Sequence, residues 1–193
     1  MKIPRLLNRS SQQTTADSRV LVCGLDPACQ EAFDTDRTIY ARHYQRVDAA
    51  LFPSIADLLS TIESGYDIVH LVSPLAPGGL IMDVGGATLL GSELVERCCE
   101  GNVKLLWIAS DSRPDDYVKG VKAAGKPLNL IMTISRNGTK FGGFLERVLD
   151  RISSGETLPV AWTALVPQAE GPWQQDLPSC IFFAGRADVR LLP

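Results

Sequence analysis

The sequence has little of what most catalytic and nucleotide-binding motifs require. It holds only two histidines, His43 and His70, far apart and each without a ligand-spaced partner, so no metal site is signalled. The five cysteines, Cys23, Cys29, Cys98, Cys99 and Cys180, are odd in number and include no C-x-x-C pair. That spacing argues against zinc ribbons and thioredoxin-like redox sites, and reads as reduced, mostly buried thiols in a cytoplasmic protein. There is no G-x-G-x-x-G and no G-x-x-x-x-G-K-[ST], which argues against dinucleotide and P-loop binding, and no cofactor is expected. No apolar run approaches the roughly 18 residues that span a bilayer. A formal net charge of −3 gives no bulk attraction to nucleic acid or to an anionic membrane.

The start, MKIPRLLNRSSQQTTADS, carries basic residues but no apolar h-region, so it does not read as a signal peptide. Its Ser/Thr/Gln-rich part reads as a flexible leader over residues 1–18, with a single domain over 19–193. A chain of 193 residues, 45% hydrophobic and 21% charged, is long enough to bury one sizeable core.

What is present is alternation. Arg19–Leu25 (RVLVCGL), Tyr66–Ser73 (YDIVHLVS), Val103–Ser110 (VKLLWIAS), Leu128–Ser135 (LNLIMTIS) and Cys180–Gly185 (CIFFAG) are near-continuous apolar runs, as in strands buried on both faces. His43–Ala50 reads as a further strand, and Pro27–Tyr40 as either a short helix or a long loop. Helices are signalled over Pro53–Ser64, Gly91–Glu100, Pro114–Gly125, Lys140–Ser154 and Leu158–Val166. The first places Ile55, Leu58, Leu59 and Ile62 at i, i+3, i+4, i+7 and is closed by Gly65; Ser92 is the N-cap expected for the second. Gly78-Gly79 and Gly85-Gly86 flank Leu80–Val84, which predicts a small hairpin. Glu170–Pro178 reads as a loop. Such an order predicts an α/β three-layer sandwich around a mainly parallel sheet of about six strands.

Parallel α/β sheets bind ligands at the carboxyl ends of their strands, so those ends carry the functional reading. The first ends in Gly24-Leu25-Asp26-Pro27. Asp26 resembles a receiver phosphoacceptor only loosely, because that acid belongs at the end of the third strand, where this chain has Ser73-Pro74. The other informative end is Ser110-Asp111. Ser110 lacks a G-x-S-x-G elbow. His70 lies inside its apolar run, where a core role is commoner than a base. Asp111, Asp115 and Asp116 suit the start of the helix that follows.

The segment YDIVHLVSPLAPGGLIMDVGG resembles the strand-and-hairpin segment of CHAT-type caspase-like domains, and VKLLWIASDS resembles their strand ending in the nucleophile. GKPLNLIMTIS, KFGGFLERVLDRISSGETLPVAWTAL and the closing PSCIFFAGRADVRLL are similar to the family's later strand, helices and terminal strand, in the same order. The likeness covers roughly residues 65–193, with a weaker fit from residue 19. It implies a six-stranded sheet whose last strand is antiparallel at one edge. A flavodoxin-like or receiver-like domain, the alternative, has strand order 2-1-3-4-5 and no hairpin at 78–86.

Carried over by position, the resemblance is chiefly a loss. The family's catalytic His falls on Pro74 and its Cys on Ser110. A thiolate attacks a carbonyl only when a neighbouring imidazole moves the proton, and proline has no proton to move. The resemblance therefore implies a catalytically inactive domain that binds a protein or peptide in trans, with Ser73, Ser110, Asp111 and His70 lining the cleft. Asp111 stands where the family's peptidases use an acid to hold a basic side chain. Family analogy also implies homodimer pairing through the strand bearing Phe182 and Phe183. The rival reading is a hydrolase rebuilt on Ser110, with His70 as base.

Overall fold

A computed structural model describes residues 17–73, 75–76, 80–109, 114–136, 140–165 and 179–193. The chain runs β1 (Arg19–Gly24), α1 (Gln30–His43), β2 (Arg46–Leu51), α2 (Ile55–Ile62), β3 (Ile68–Val72), β4 (Leu75–Ala76), β5 (Leu80–Met82), β6 (Thr88–Leu89), α3 (Gly91–Glu100), β7 (Leu105–Ala109), α4 (Pro114–Ala124), β8 (Asn129–Ser135), α5 (Lys140–Ser153), α6 (Leu158–Leu165) and β9 (Ser179–Phe183). Six strands form the main sheet in the order β2-β1-β3-β7-β8-β9, and β4-β5-β6 form a small antiparallel sheet beside it. Five strands of the main sheet are parallel; β9 runs antiparallel to β8 at the edge.

The apolar runs behave as strands covered on both faces. Every residue of β3 is buried. Its odd and even positions feed two separate cores: Val69 and Leu71 face the layer of α2, α3 and α4, whereas Ile68 belongs to the layer of α1, α5 and α6. The result is a three-layer α/β sandwich. The ends of α2 follow their sequence signals. Ser54 caps α2, its hydroxyl accepting from Asp57 N at 3.2 Å. Gly65 and Gly155, just beyond α2 and α5, adopt φ of 85° and 96°, a left-handed turn that glycine takes at least cost.

Two local readings change. His43 is the last residue of α1, and β2 begins only at Arg46; the ambiguous stretch before it is helical because Phe33, Ile39 and Tyr40 give it an apolar face against the sheet. Ser92 lies inside α3. Its start is closed by the Glu93 carboxylate, which accepts from Leu90 N at 3.0 Å. The hairpin expected around Leu80–Val84 forms: β5 pairs antiparallel with β4 on one side and, through a turn over Asp83–Ala87 that includes Gly85 and Gly86, with β6 on the other. Asp83 holds that turn from inside, accepting from Ala87 N at 2.9 Å and from Ile55 N, at the start of α2, at 3.1 Å. The expected loop over 170–178 and leader residues 1–16 lie outside the described residues; Ser18 is buried and donates its N–H to Leu192 O at 2.9 Å.

Gly24 ends β1 where the chains crowd. A Cβ there would stand 2.9 Å from Val72 O and 2.6 Å from Leu51 Cδ2. Gly24→Ala should therefore destabilise the fold by about 1–3 kcal/mol, as overpacking does. A urea midpoint equal to wild type would show that β1, β2 and β3 part freely at this end.

Candidate functional site

The carboxyl ends of β1, β3, β7 and β8 lie side by side, as parallel pairing requires. Ser73, directly after β3, is buried. Pro74, Ser110 and Asp111 lie outside the described residues. Asp26 is engaged locally: its carboxylate accepts from Ala28 N at 2.7 Å and caps a single 3-10 turn, Pro27–Cys29.

His70, expected to line the cleft, instead sits in the core, 2% exposed. The β3 register places it between Val22 of β1 and Trp107 of β7. Its ring stacks on Trp107 at 5.4 Å between centroids and meets Phe141 edge-on at 6.2 Å. Both ring nitrogens are occupied. Nδ1 is 3.1 Å from the Tyr40 hydroxyl, and Nε2 is 3.1 Å from Asp36 Oδ2. Asp36 is wholly buried, and the Arg136 guanidinium grips it with two bonds, Nη1 to Oδ2 at 2.9 Å and Nη2 to Oδ1 at 2.7 Å. Arg136 also lies 3.9 Å over the Phe141 ring. Next to this group, Trp107 Nε1 donates to Thr133 Oγ1 at 2.9 Å.

All three side chains meet in one chain of contacts: the Nε2 side of the ring faces the Asp36 carboxylate, and the Nδ1 side shares a hydrogen bond with the Tyr40 hydroxyl. Arg136 then balances the carboxylate. Burial alone would raise the Asp36 pKa, but the hydrogen bonds and charges of His70 and Arg136 outweigh it and hold the carboxyl below its ordinary value. Burial pushes the Tyr40 hydroxyl well up.

Asp36, Tyr40 and Arg136 were not singled out in the sequence. For the first two a signal exists: Phe33, Asp36 and Tyr40 fall at helical spacing, which puts an acid on an apolar stripe. Arg136 has no such signal, because its partner is 100 residues away.

No described thiol is poised as a nucleophile. Burial raises Cys23 and Cys98 strongly and Cys180 to about 11, and Cys29 and Cys99 are raised as well. No group of three or more His, Cys, Asp or Glu that could hold a metal occurs among the described residues. A shallow groove of about 420 Å³ runs between α1 and α5, bounded by Asp34, Thr38, Arg42 and Glu146, with Arg42 and Glu146 paired across it at 2.9 Å. No helix among the described residues is long and apolar enough to cross a membrane. The sequence matches no family model and no curated protein.

Two outcomes follow from this geometry. Asp36→Asn removes a charge that Arg136 needs and should cost about 3–5 kcal/mol at neutral pH. Because the folded pKa of Asp36 is lowered, its contribution is complete above the unfolded value near pH 4 and is lost as pH falls through the folded value. The acid limb of a stability–pH curve should accordingly be flatter in Asp36→Asn than in wild type. With Ellman's reagent at pH 7.5, Cys29 and Cys180 should react slowly, and Cys23, Cys98 and Cys99 only after denaturant is added; prompt labelling of Cys98 would contradict the sealed core.

Proposed function

We propose that this chain is a catalytically inactive, caspase-like α/β domain that acts by binding a protein or peptide at the carboxyl end of its sheet. The observation that carries this reading is the engagement of His70. A serine hydrolase rebuilt on Ser110 needs an imidazole with a free nitrogen at the strand end. His70 has neither a free nitrogen nor access, since Asp36 and Tyr40 take both ring atoms inside the core. His43, the other histidine, closes α1 and stands 3.6 Å from Asp150 of α5.

The architecture supports the caspase-like part. Six strands with an antiparallel last strand at the edge, and a small antiparallel sheet after β3, are what the resemblance implies. The flavodoxin-like alternative shares the order of the first five strands but includes neither addition. A binding role fits a sequence in which the resemblance puts the family's dyad on Pro74 and Ser110 and its substrate-holding acid on Asp111.

The test has two arms. Incubated with denatured proteins and peptide libraries, wild type and Ser110→Ala should both leave the substrates intact; cleavage that disappears in Ser110→Ala would overturn the reading. On a peptide array, wild type should retain Lys- and Arg-containing sequences, and Asp111→Asn should lose most of that preference. An array with no preference in wild type would remove the peptide-binding arm.

A further inference from the structure

The two edges of the main sheet differ. At one, β9 breaks its register with β8 between Thr133 and Ser135. At the other, β2 pairs with β1 in continuous register from Arg46 to Leu51. Its sequence, RVDAAL, holds no proline and no lysine, two of the usual devices that keep an edge from pairing. The bond from Phe52 N to Gly24 O, at 2.8 Å, fixes which backbone groups of β2 are turned outward. Amides alternate in direction along an extended chain. Arg46, Asp48 and Ala50 therefore turn theirs to β1, as Phe52 does, whereas Val47, Ala49 and Leu51 turn theirs away from the sheet. The side chains of these last three share one face. Val47 and Leu51 are half-buried against the core beneath α1, and Ala49 between them is exposed. Large, small, large is an order that reads the same in both directions.

We propose that β2 is the surface through which this chain pairs with a second copy of itself, antiparallel about a two-fold axis at Ala49. In that register Val47 faces Leu51 of the second copy, Ala49 faces Ala49, and Leu51 faces Val47. Each facing pair exchanges two N–H···O=C bonds, so every outward group of β2 is used. The two sheets become one, and the apolar strip continues across the axis. Charge and backbone chemistry select this register over its neighbours. A slide that centres the axis on Asp48 sets two carboxylates directly opposite each other, which is unfavourable. A slide the other way sets Val47 against Pro53, which has no N–H to give. With the axis at Ala49, Asp48 faces Ala50 of the second copy. Its carboxylate keeps the bonds it accepts from Arg19 Nη2 at 2.8 Å and from the Tyr66 hydroxyl at 2.9 Å, so it brings no unmatched charge to the contact. A foreign strand needs no such symmetry; the palindromic order of Val47, Ala49 and Leu51 favours a copy of this chain. This edge lies across the sheet from β9, where family analogy puts a dimer contact. The pairing is independent of the binding role proposed at the strand ends.

The test uses the full chain. Sedimentation of wild type across the micromolar range should show a monomer–dimer equilibrium. Ala49→Glu and Ala49→Lys each set like charges opposite at the axis, and each should weaken the dimer by about fivefold or more. Mixed in equal amounts, the two should form a heterodimer tighter than either homodimer, because Ala49 faces only itself. Both variants should keep the wild-type urea midpoint, since Ala49 is exposed. Facing Cα atoms in such a pair stand about 5.5 Å apart, within reach of a disulfide. Mild oxidation should therefore link Ala49→Cys into a covalent dimer, and should link neither wild type nor Val47→Cys, whose new thiol faces Leu51. Should a charged variant fail to fold, the cysteine variants decide. A wild type that stays monomeric throughout the range overturns the proposal. So does a dimer that keeps its affinity in both charged variants, which would put the contact elsewhere, or a Val47→Cys that links as readily as Ala49→Cys.

Discussion

A carboxylate with no access to water must be matched inside the protein, or the fold has to carry several kcal/mol of lost hydration. Asp36 is such a group. Meeting its need draws in α1, which carries it, β3 through His70, and the end of β8 through Arg136. These elements are remote in sequence, and the carboxylate ties them at one point. Tyr40 then satisfies the far side of the imidazole, while Trp107 and Phe141 wall the ring off from solvent. The polar knot sits within the otherwise apolar layer between the sheet and α1 and α5.

The same knot decides what the histidine can do. An imidazole serves as a general base only with a nitrogen turned toward the reacting proton, and here both are committed to bonds that hold the core. The thiols are likewise turned inward, where desolvation favours the protonated form. On the proposed reading, function falls to the strand ends, where parallel α/β sheets commonly bind ligands. Recognition, on that reading, needs shape and a few charges there and does not need the proton-transfer pair that catalysis requires.

The architecture was legible in outline because strands covered on both faces announce themselves as apolar runs. The long amphipathic helix α5 was equally plain, with Phe141, Phe144, Leu145, Val148, Leu149 and Ile152 all buried as their spacing implies. The first helix was not plain. Its acids and threonines dilute the apolar stripe, and only contact with β1 and α5 makes the helical alternative win. The strand-end positions Ser73, Pro74, Ser110 and Asp111 could be found by reading where apolar runs stop. The place of His70 inside its run carried the weightier message, that its side chain faces a packed layer.

Local pattern, acting through side-chain period and chain stiffness, determined the alternation of strands and helices, the capped ends at Ser54, Gly65 and Gly155, and the absence of cofactor motifs. It left open which buried polar groups meet, because pairing across 34 or 100 residues leaves no periodic trace. Tertiary structure alone decided that Asp36, His70 and Arg136 share one charge balance, since only folding brings three elements close enough for a desolvated carboxylate to choose its partners. The antiparallel run of β9 at the edge, expected from the resemblance, is likewise a matter of how the chain returns to the sheet and not of the strand's own residues.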